Sequence, residues 1–185
     1  MPVSSPKKTS PKITGASNYW IQQAGSAIHG RGVRARRAIP AGARITEYTG
    51  ERITKAEALR RDEARLARLR RGGDGSVYVF ELNKRHDLDG RLSRNIARFI
   101  NHSCAPNCET AVVRGRVWIS ALRDIAEGEE LTYDYGFPYS EWRGHPCRCG
   151  APGCVGFIVN KAQRWLVRKA LRKEKQPPPA KPPRK

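Results

Sequence analysis

Three cysteines fall within eight residues, Cys147-Arg148-Cys149-Gly150-Ala151-Pro152-Gly153-Cys154, and no other stretch limits the fold so tightly. A closed structural zinc site takes four tetrahedral ligands. A set of three thiols is one short, so the segment that carries them must be tied to a distant part of the chain. The chain has five cysteines, an odd number. In a reducing compartment such clustering favours a metal over disulfides. A disulfide framework and a redox role for the Cys147/Cys149 pair are the alternatives.

Residues Met1 to Pro11 contain Ser, Pro and Lys without an apolar run, so they do not read as a secretory signal. No stretch approaches the ~18 apolar residues of a membrane span. A soluble, intracellular protein with no membrane partner is expected. At 185 residues the chain can bury one real core, with tails to spare. Its formal charge of +19 is concentrated at the ends. Residues 161–185 hold ten Lys/Arg against Glu174, a net of +9, and residues 1–17 add +3 through Lys7, Lys8 and Lys12. The body keeps +7. Lys and Arg mixed with Pro form the kind of arm that holds DNA, RNA or nucleoprotein by releasing counterions. The plainer reading is a pair of solvated ends.

Along the chain, 1–17 reads as a disordered basic arm. The body opens with an edge strand at Tyr19-Trp20-Ile21. Two strand-like runs at 33–39 and 44–53, separated by Pro40-Ala41-Gly42, predict a twisted hairpin. Thr54-Lys55-Ala56-Glu57 fits a capping box and predicts a surface helix over about 54–70, stopped by Arg71-Gly72-Gly73. Val77–Leu82 reads as a strand, residues 111–113 and 117–119 as a hairpin, and 130–135 as another strand. Helix returns at about 160–173, where Trp165, Leu166 and Ala170 could dock. Short strands at close spacing with little helix predict a mainly β domain of several small sheets.

Two further stretches carry chemistry. Asn101-His102-Ser103-Cys104 is a polar tetrapeptide directly behind the apolar, helix-compatible run Ile96–Ile100, so its amide, imidazole and thiol should be held near a core. Glu130-Leu131-Thr132-Tyr133-Asp134-Tyr135-Gly136 ends the last predicted strand in two tyrosines, which alternation would place on one face. With His29-Gly30-Arg31-Gly32 upstream and the cysteine run downstream, the chain resembles the SET-domain family of protein lysine methyltransferases that carry a post-SET zinc motif. The resemblance covers roughly 18–160, a SET domain over 18–139 with the 54–70 helix as an insert and a post-SET segment over 140–160; a basic helix and Pro/Lys-rich tail over 161–185 follow it. It implies a pseudoknot in which the Asn101 segment passes through a loop made by the later tyrosine stretch.

The resemblance also implies roles. The loop His29, Gly30, Arg31 and Gly32 approaches S-adenosylmethionine, with Arg98, Asn101 and His102 binding the same cofactor. Tyr78 stands at the junction of lysine channel and cofactor, and Phe157 packs near the cofactor. Tyr135 aligns the lysine nitrogen, while Tyr133 limits the room around it. Zinc is held by Cys104, Cys147, Cys149 and Cys154. Cys108 is left over and reads as a small buried side chain. The expected activity is methylation, mainly mono-methylation, of a lysine in a histone or another DNA-associated protein. That places the protein in a nucleus, or in the cytoplasm and nucleoid of a bacterium. A catalytically silent SET-fold module that binds chromatin or nucleic acid is one rival; a methyltransferase for a non-chromatin target such as a ribosomal protein is another.

Overall fold

The computed structural model describes residues 18–73, 76–91 and 94–175. The basic arm 1–17 and the tail 176–185 lie outside the described residues. The chain divides into two compact units: one holds the chain up to Asn101 together with Pro106–Tyr133, the other His102–Ala105 and the chain from Asp134 onward.

The first unit is built from small sheets. Strands β1 (Ile21–Gly25) and β2 (Arg31–Ala35) pair antiparallel. Strand β3 (Arg44–Tyr48) pairs with β9 (Arg116–Ala121), which also forms the predicted hairpin with β8 (Cys108–Val113). Strands β4 (Glu51–Thr54), β5 (Val79–Glu81) and β6 (His86–Asp89) make a second three-stranded sheet with β6 in the middle. The two-residue strands β7 (Asn101–His102) and β10 (Thr132–Tyr133) pair with each other. Alternating burial along β1, β2 and β9 puts Ile21, Val33, Val117 and Ile119 at full burial, and Ile100, Ile125 and Leu131 complete that core.

The sequence-based hairpin over 33–53 does not form. β2 ends at Ala35 and its far edge is used by the chain before β10, since the Ala35 amide donates to the Glu129 carbonyl and the Leu131 amide to the Val33 carbonyl. β3 finds its partner more than seventy residues later, in β9. The strand expected over 130–135 is likewise shorter. Only Thr132–Tyr133 are strand, so Tyr135 is not placed by strand alternation.

Helix α1 (Lys55–Arg70) starts as its sequence dictates: the Glu57 amide donates to Thr54 Oγ1 at 3.2 Å. It is a surface helix, with Leu59, Leu66 and Leu69 exposed and Arg65 its one buried residue. Charge fastens it, because Lys55 reaches Asp87 at 2.6 Å and Arg61 reaches Asp89 at 2.7 Å, both on β6. No helix among the described residues is long and apolar enough to cross a membrane.

In the second unit, 3₁₀ turns at Tyr139–Gly144 and Lys161–Gln163 flank the cysteine run, and helix α2 (Arg164–Lys175) follows. Its core is Trp142, Val155, Val159 and Val167, with Tyr139, Phe157, Ala170 and Leu171 packed against it. The docking tryptophan is therefore Trp142; Trp165, expected to dock, is exposed. The helical period explains the exchange, since Arg164, Val167 and Leu171 share one face and position 165 points away from it.

Candidate functional site

In the first unit the Asn101 amide is the centre of a polar knot. Its Nδ2 lies 3.0 Å from Ser26 Oγ, 3.0 Å from the Arg31 carbonyl and 3.1 Å from Glu130 Oε1. Ser26 Oγ donates to Glu130 at 2.6 Å and accepts from the Ile28 amide. The loop 26–32 is thus pinned to β7 by side chains that satisfy one another, as buried polar groups must.

Two glycines in this loop have different reasons. Gly30 has φ +42°, a left-handed value that side chains resist. Gly32 is closed off by the knot, since a Cβ there would come within 2.7 Å of Glu130 Oε1 and 2.8 Å of Ser26 Cβ. Ser26 and Glu130 are the site residues that the sequence did not single out. His29 and Arg31 are exposed, and the Arg31 guanidinium stands 4.4 Å from the centre of the Phe99 ring.

Arg98, on the 3₁₀ turn Ile96–Phe99, donates to the carbonyl of Arg91 and stacks over Tyr78 and Phe99 at 5.5 and 4.6 Å. Tyr78 is itself held by its carbonyl, which accepts from the Tyr48 hydroxyl at 2.7 Å. Tyr133 closes the first unit on β10 and is buried.

In the second unit the four thiols Cys104, Cys147, Cys149 and Cys154 come together, all Sγ atoms lying within 4.8 Å of one another. Four sulfurs bound to one zinc at about 2.3 Å would stand about 3.8 Å apart; the Cys104 and Cys154 sulfurs are 3.6 Å apart. Backbone donors point at the cluster: the Cys104 amide to Cys149 Sγ at 3.4 Å, and the Gly156 amide to Cys154 Sγ at 3.3 Å. Burial pushes the Cys104 thiol up to about 12 and Cys147 upward as well. At Cys149 burial also acts upward, but the amides of Cys104 and Ala151 outweigh it and hold the thiol down at about 7. Four sulfurs this close together and met by N–H donors could hold zinc. Cys108 is elsewhere, fully buried on β8, its thiol pushed up to about 12 by burial.

His102 stands beside this cluster. Its Nδ1 accepts from the Tyr135 amide at 3.2 Å, so the ring proton belongs on Nε2, which faces Cys104 Sγ at 3.6 Å. The rings of His102 and Tyr135 meet edge to face, and Phe137 continues the row from Tyr135 to His145. Buried Arg164 braces the same place, donating to the Cys104 carbonyl at 2.6 Å, the Val159 carbonyl at 3.1 Å and Asp134 at 2.7 Å. Phe157 meets Trp142 edge to face at 4.5 Å.

Residues 30–136, more than half of the chain, match the model of the SET domain. The chain belongs to the SET-domain family. Among curated proteins it is similar to the "Histone-lysine N-methyltransferase, H3 lysine-4 specific" of Saccharomyces cerevisiae, 45% identical over 144 residues, covering 75% of this chain and 13% of that protein. Proteins of the same description from Aspergillus fumigatus and Kluyveromyces lactis are 41% and 43% identical, over 75% and 72% of this chain and 11% and 14% of theirs. This SET protein thus spans about an eighth of the length of those relatives.

Proposed function

We propose that this SET protein is an S-adenosylmethionine-dependent protein-lysine N-methyltransferase acting on a histone or similar DNA-associated protein, with zinc held by Cys104, Cys147, Cys149 and Cys154. The observation that carries this reading is the anchoring of Tyr135: its amide is fixed by the His102 ring, which in turn faces a sulfur of the four-thiol cluster. That bond fixes where the Tyr135 backbone, and so its ring, stands relative to His102.

Bound S-adenosylmethionine would supply a methyl group on a sulfonium, whose carbon–sulfur bond breaks as the lysine nitrogen takes the methyl. Free lysine has a pKa of about 10.4. Aromatic walls, the role that resemblance to the family gives Tyr78, Tyr133 and Tyr135, would favour the neutral amine by desolvation. Tyr135 then contributes alignment through its hydroxyl, and Tyr133 restricts the space around the nitrogen so that mono-methyl-lysine dominates. Resemblance to the family assigns the loop 29–32, Arg98, Asn101, His102 and Phe157 to the cofactor. Zinc bound by the four thiolates would be structural, fixing the segment after Tyr135.

The relatives' description names lysine 4 of histone H3, which makes a peptide of the H3 amino terminus the first substrate to test. Such a substrate places the protein at chromatin, or at the nucleoid of a bacterial host. The basic ends hold nucleic acid by counterion release. The test is transfer of labelled methyl from S-adenosylmethionine to histones and to H3 peptide, located by mass spectrometry. Tyr135→Phe should lose on the order of 10²-fold in turnover with cofactor affinity unchanged. Cofactor binding without transfer to any histone or lysate protein would overturn the reading in favour of a silent module. Transfer to non-chromatin proteins alone would overturn the choice of substrate.

A further inference from the structure

Helix α2 has two unlike faces. The inner one, Arg164, Val167, Ala170 and Leu171, is spent on the core of its own unit. The outer one carries Trp165, Arg168, Lys169, Arg172 and Lys173, which together line a groove of about 540 Å³. Positions 165, 168, 169, 172 and 173 recur at helical spacing, so one continuous stripe is cationic with a tryptophan at its head.

A plain solvated face does not account for this stripe. Trp165 is 56% exposed, a large apolar surface left in water beside charges. On α1 three of the arginines are matched by acids, Arg60 and Arg61 by Glu57 and Arg65 by Asp62, while Arg68 and Arg70 stand in its last turn, where the dipole favours them. On α2 the one acid, Glu174, is taken by Arg143. Arg168 donates to the Gly153 carbonyl at 2.9 Å. Lys169, Arg172 and Lys173 have no carboxylate partner among the described residues. Like charges three and four residues apart, as at 168/172, 169/172 and 169/173, each work against the helix. The helix dipole favours the cations of the last turn, but it does not explain Lys169, Arg168 or the tryptophan.

We propose that this outer face of α2 is a docking surface for a nucleic-acid strand, the cations neutralising successive phosphates and Trp165 stacking on an unpaired base. Sequence-tolerant strand binders combine a basic track with an aromatic platform in this way. A lipid surface is the poorer match, because a helix lying on a membrane inserts its apolar face, and here that face is already buried. The sequence beyond Lys175 adds Lys181, Arg184 and Lys185 and no acid. The proposal refines the assignment of the basic carboxyl-terminal end to nucleic acid and stands apart from the methyltransferase reading, since it needs neither cofactor nor lysine substrate.

The experiment uses the full chain and fluorescence anisotropy of labelled oligothymidine and of a DNA duplex across a potassium chloride series. The triple variant Lys169→Gln/Arg172→Gln/Lys173→Gln should flatten the slope of log K against log salt on the single strand by about 2, at about 0.7 per phosphate contact. Trp165→Ala should weaken single-strand binding roughly tenfold with the slope unchanged, and affect the duplex less. All four residues are on the surface, and circular dichroism with methylation of a free peptide checks that the variants stay folded. An unchanged slope in the triple variant would overturn the proposal. So would losses confined to anionic vesicles or to polyglutamate, which would make the partner a membrane or an acidic protein.

Discussion

The Tyr135 amide donates to His102 Nδ1 at 3.2 Å, and this single bond decides what the rest of the imidazole can do. Nδ1 is an acceptor, so Nε2 carries the hydrogen and presents it to Cys104 Sγ. Both ring nitrogens are engaged inside the second unit. His102→Leu should therefore lower turnover by tenfold or more and weaken zinc retention by about 10- to 100-fold, as loss of an outer-shell partner does. Competition with a chromogenic chelator reads the second effect without any substrate.

Cysteine substitutions should separate the two classes of thiol. Cys149→Ser removes a sulfur that accepts from the Cys104 amide, and should yield protein with less than one zinc per chain and faster proteolysis after residue 140. Cys108→Ser should keep its zinc and lose about 1 kcal/mol of stability, the cost of a hydroxyl in a fully buried slot. Metal analysis on both variants, with a denaturant titration, checks the pair.

Gly32→Ala tests the polar knot. The added methyl would meet Glu130 Oε1 and Ser26 Cβ inside normal contact, so a loss of about 1–3 kcal/mol is expected. Combining it with Ser26→Gly should recover part of that loss in urea, whereas an alanine accepted without cost would mean that the loop does not sit against Glu130.

Arg164→Ala should be among the most damaging single changes. Its guanidinium is buried and satisfies two carbonyls as well as Asp134, so truncation leaves those carbonyls without their donor and Asp134 with only the amides of Gly136 and Lys161, at about 3 kcal/mol. Thermal melts of Arg164→Ala and of Asp134→Asn, the second expected to be milder, provide the comparison.

Tyr133→Phe should retain methyl transfer and shift product towards di- and trimethyl-lysine. A hydroxyl at this position can hydrogen-bond the amine, and each added methyl removes an N–H from it. Intact-mass analysis of a one-lysine peptide at exhaustive turnover reads the outcome directly.

The start of α1 could be read from Thr54 and Glu57 because capping is local, and the β8–β9 hairpin from Arg114-Gly115 for the same reason. Strand β6 escaped notice: His86-Asp87-Leu88-Asp89 looks like a loop until Lys55 and Arg61 arrive from α1 to neutralise its two buried aspartates. Pairings set by distant partners were equally hidden, as with β3, which passes over its neighbour β2 for β9. At the site, the gathering of Cys104 with the three later cysteines followed from resemblance, since no local spacing contains it. Glu130 was in plain sight beside the tyrosines, yet its role depends on Ser26 and Asn101, which lie 104 and 29 residues from it.

The bond from Arg164 to the Cys104 carbonyl spans 60 residues, and it has a bearing on the order in which the chain is made. While the ribosome has delivered the chain only as far as the tyrosine stretch, Cys104 has none of its three sulfur neighbours and its carbonyl has no guanidinium. That pocket is completed only when residues 147–164 have emerged. Contacts of such long range are slow to close, so a nascent chain stalled before residue 164 would expose a reactive thiol and an unfilled core, a vulnerable interval that lasts until that segment arrives.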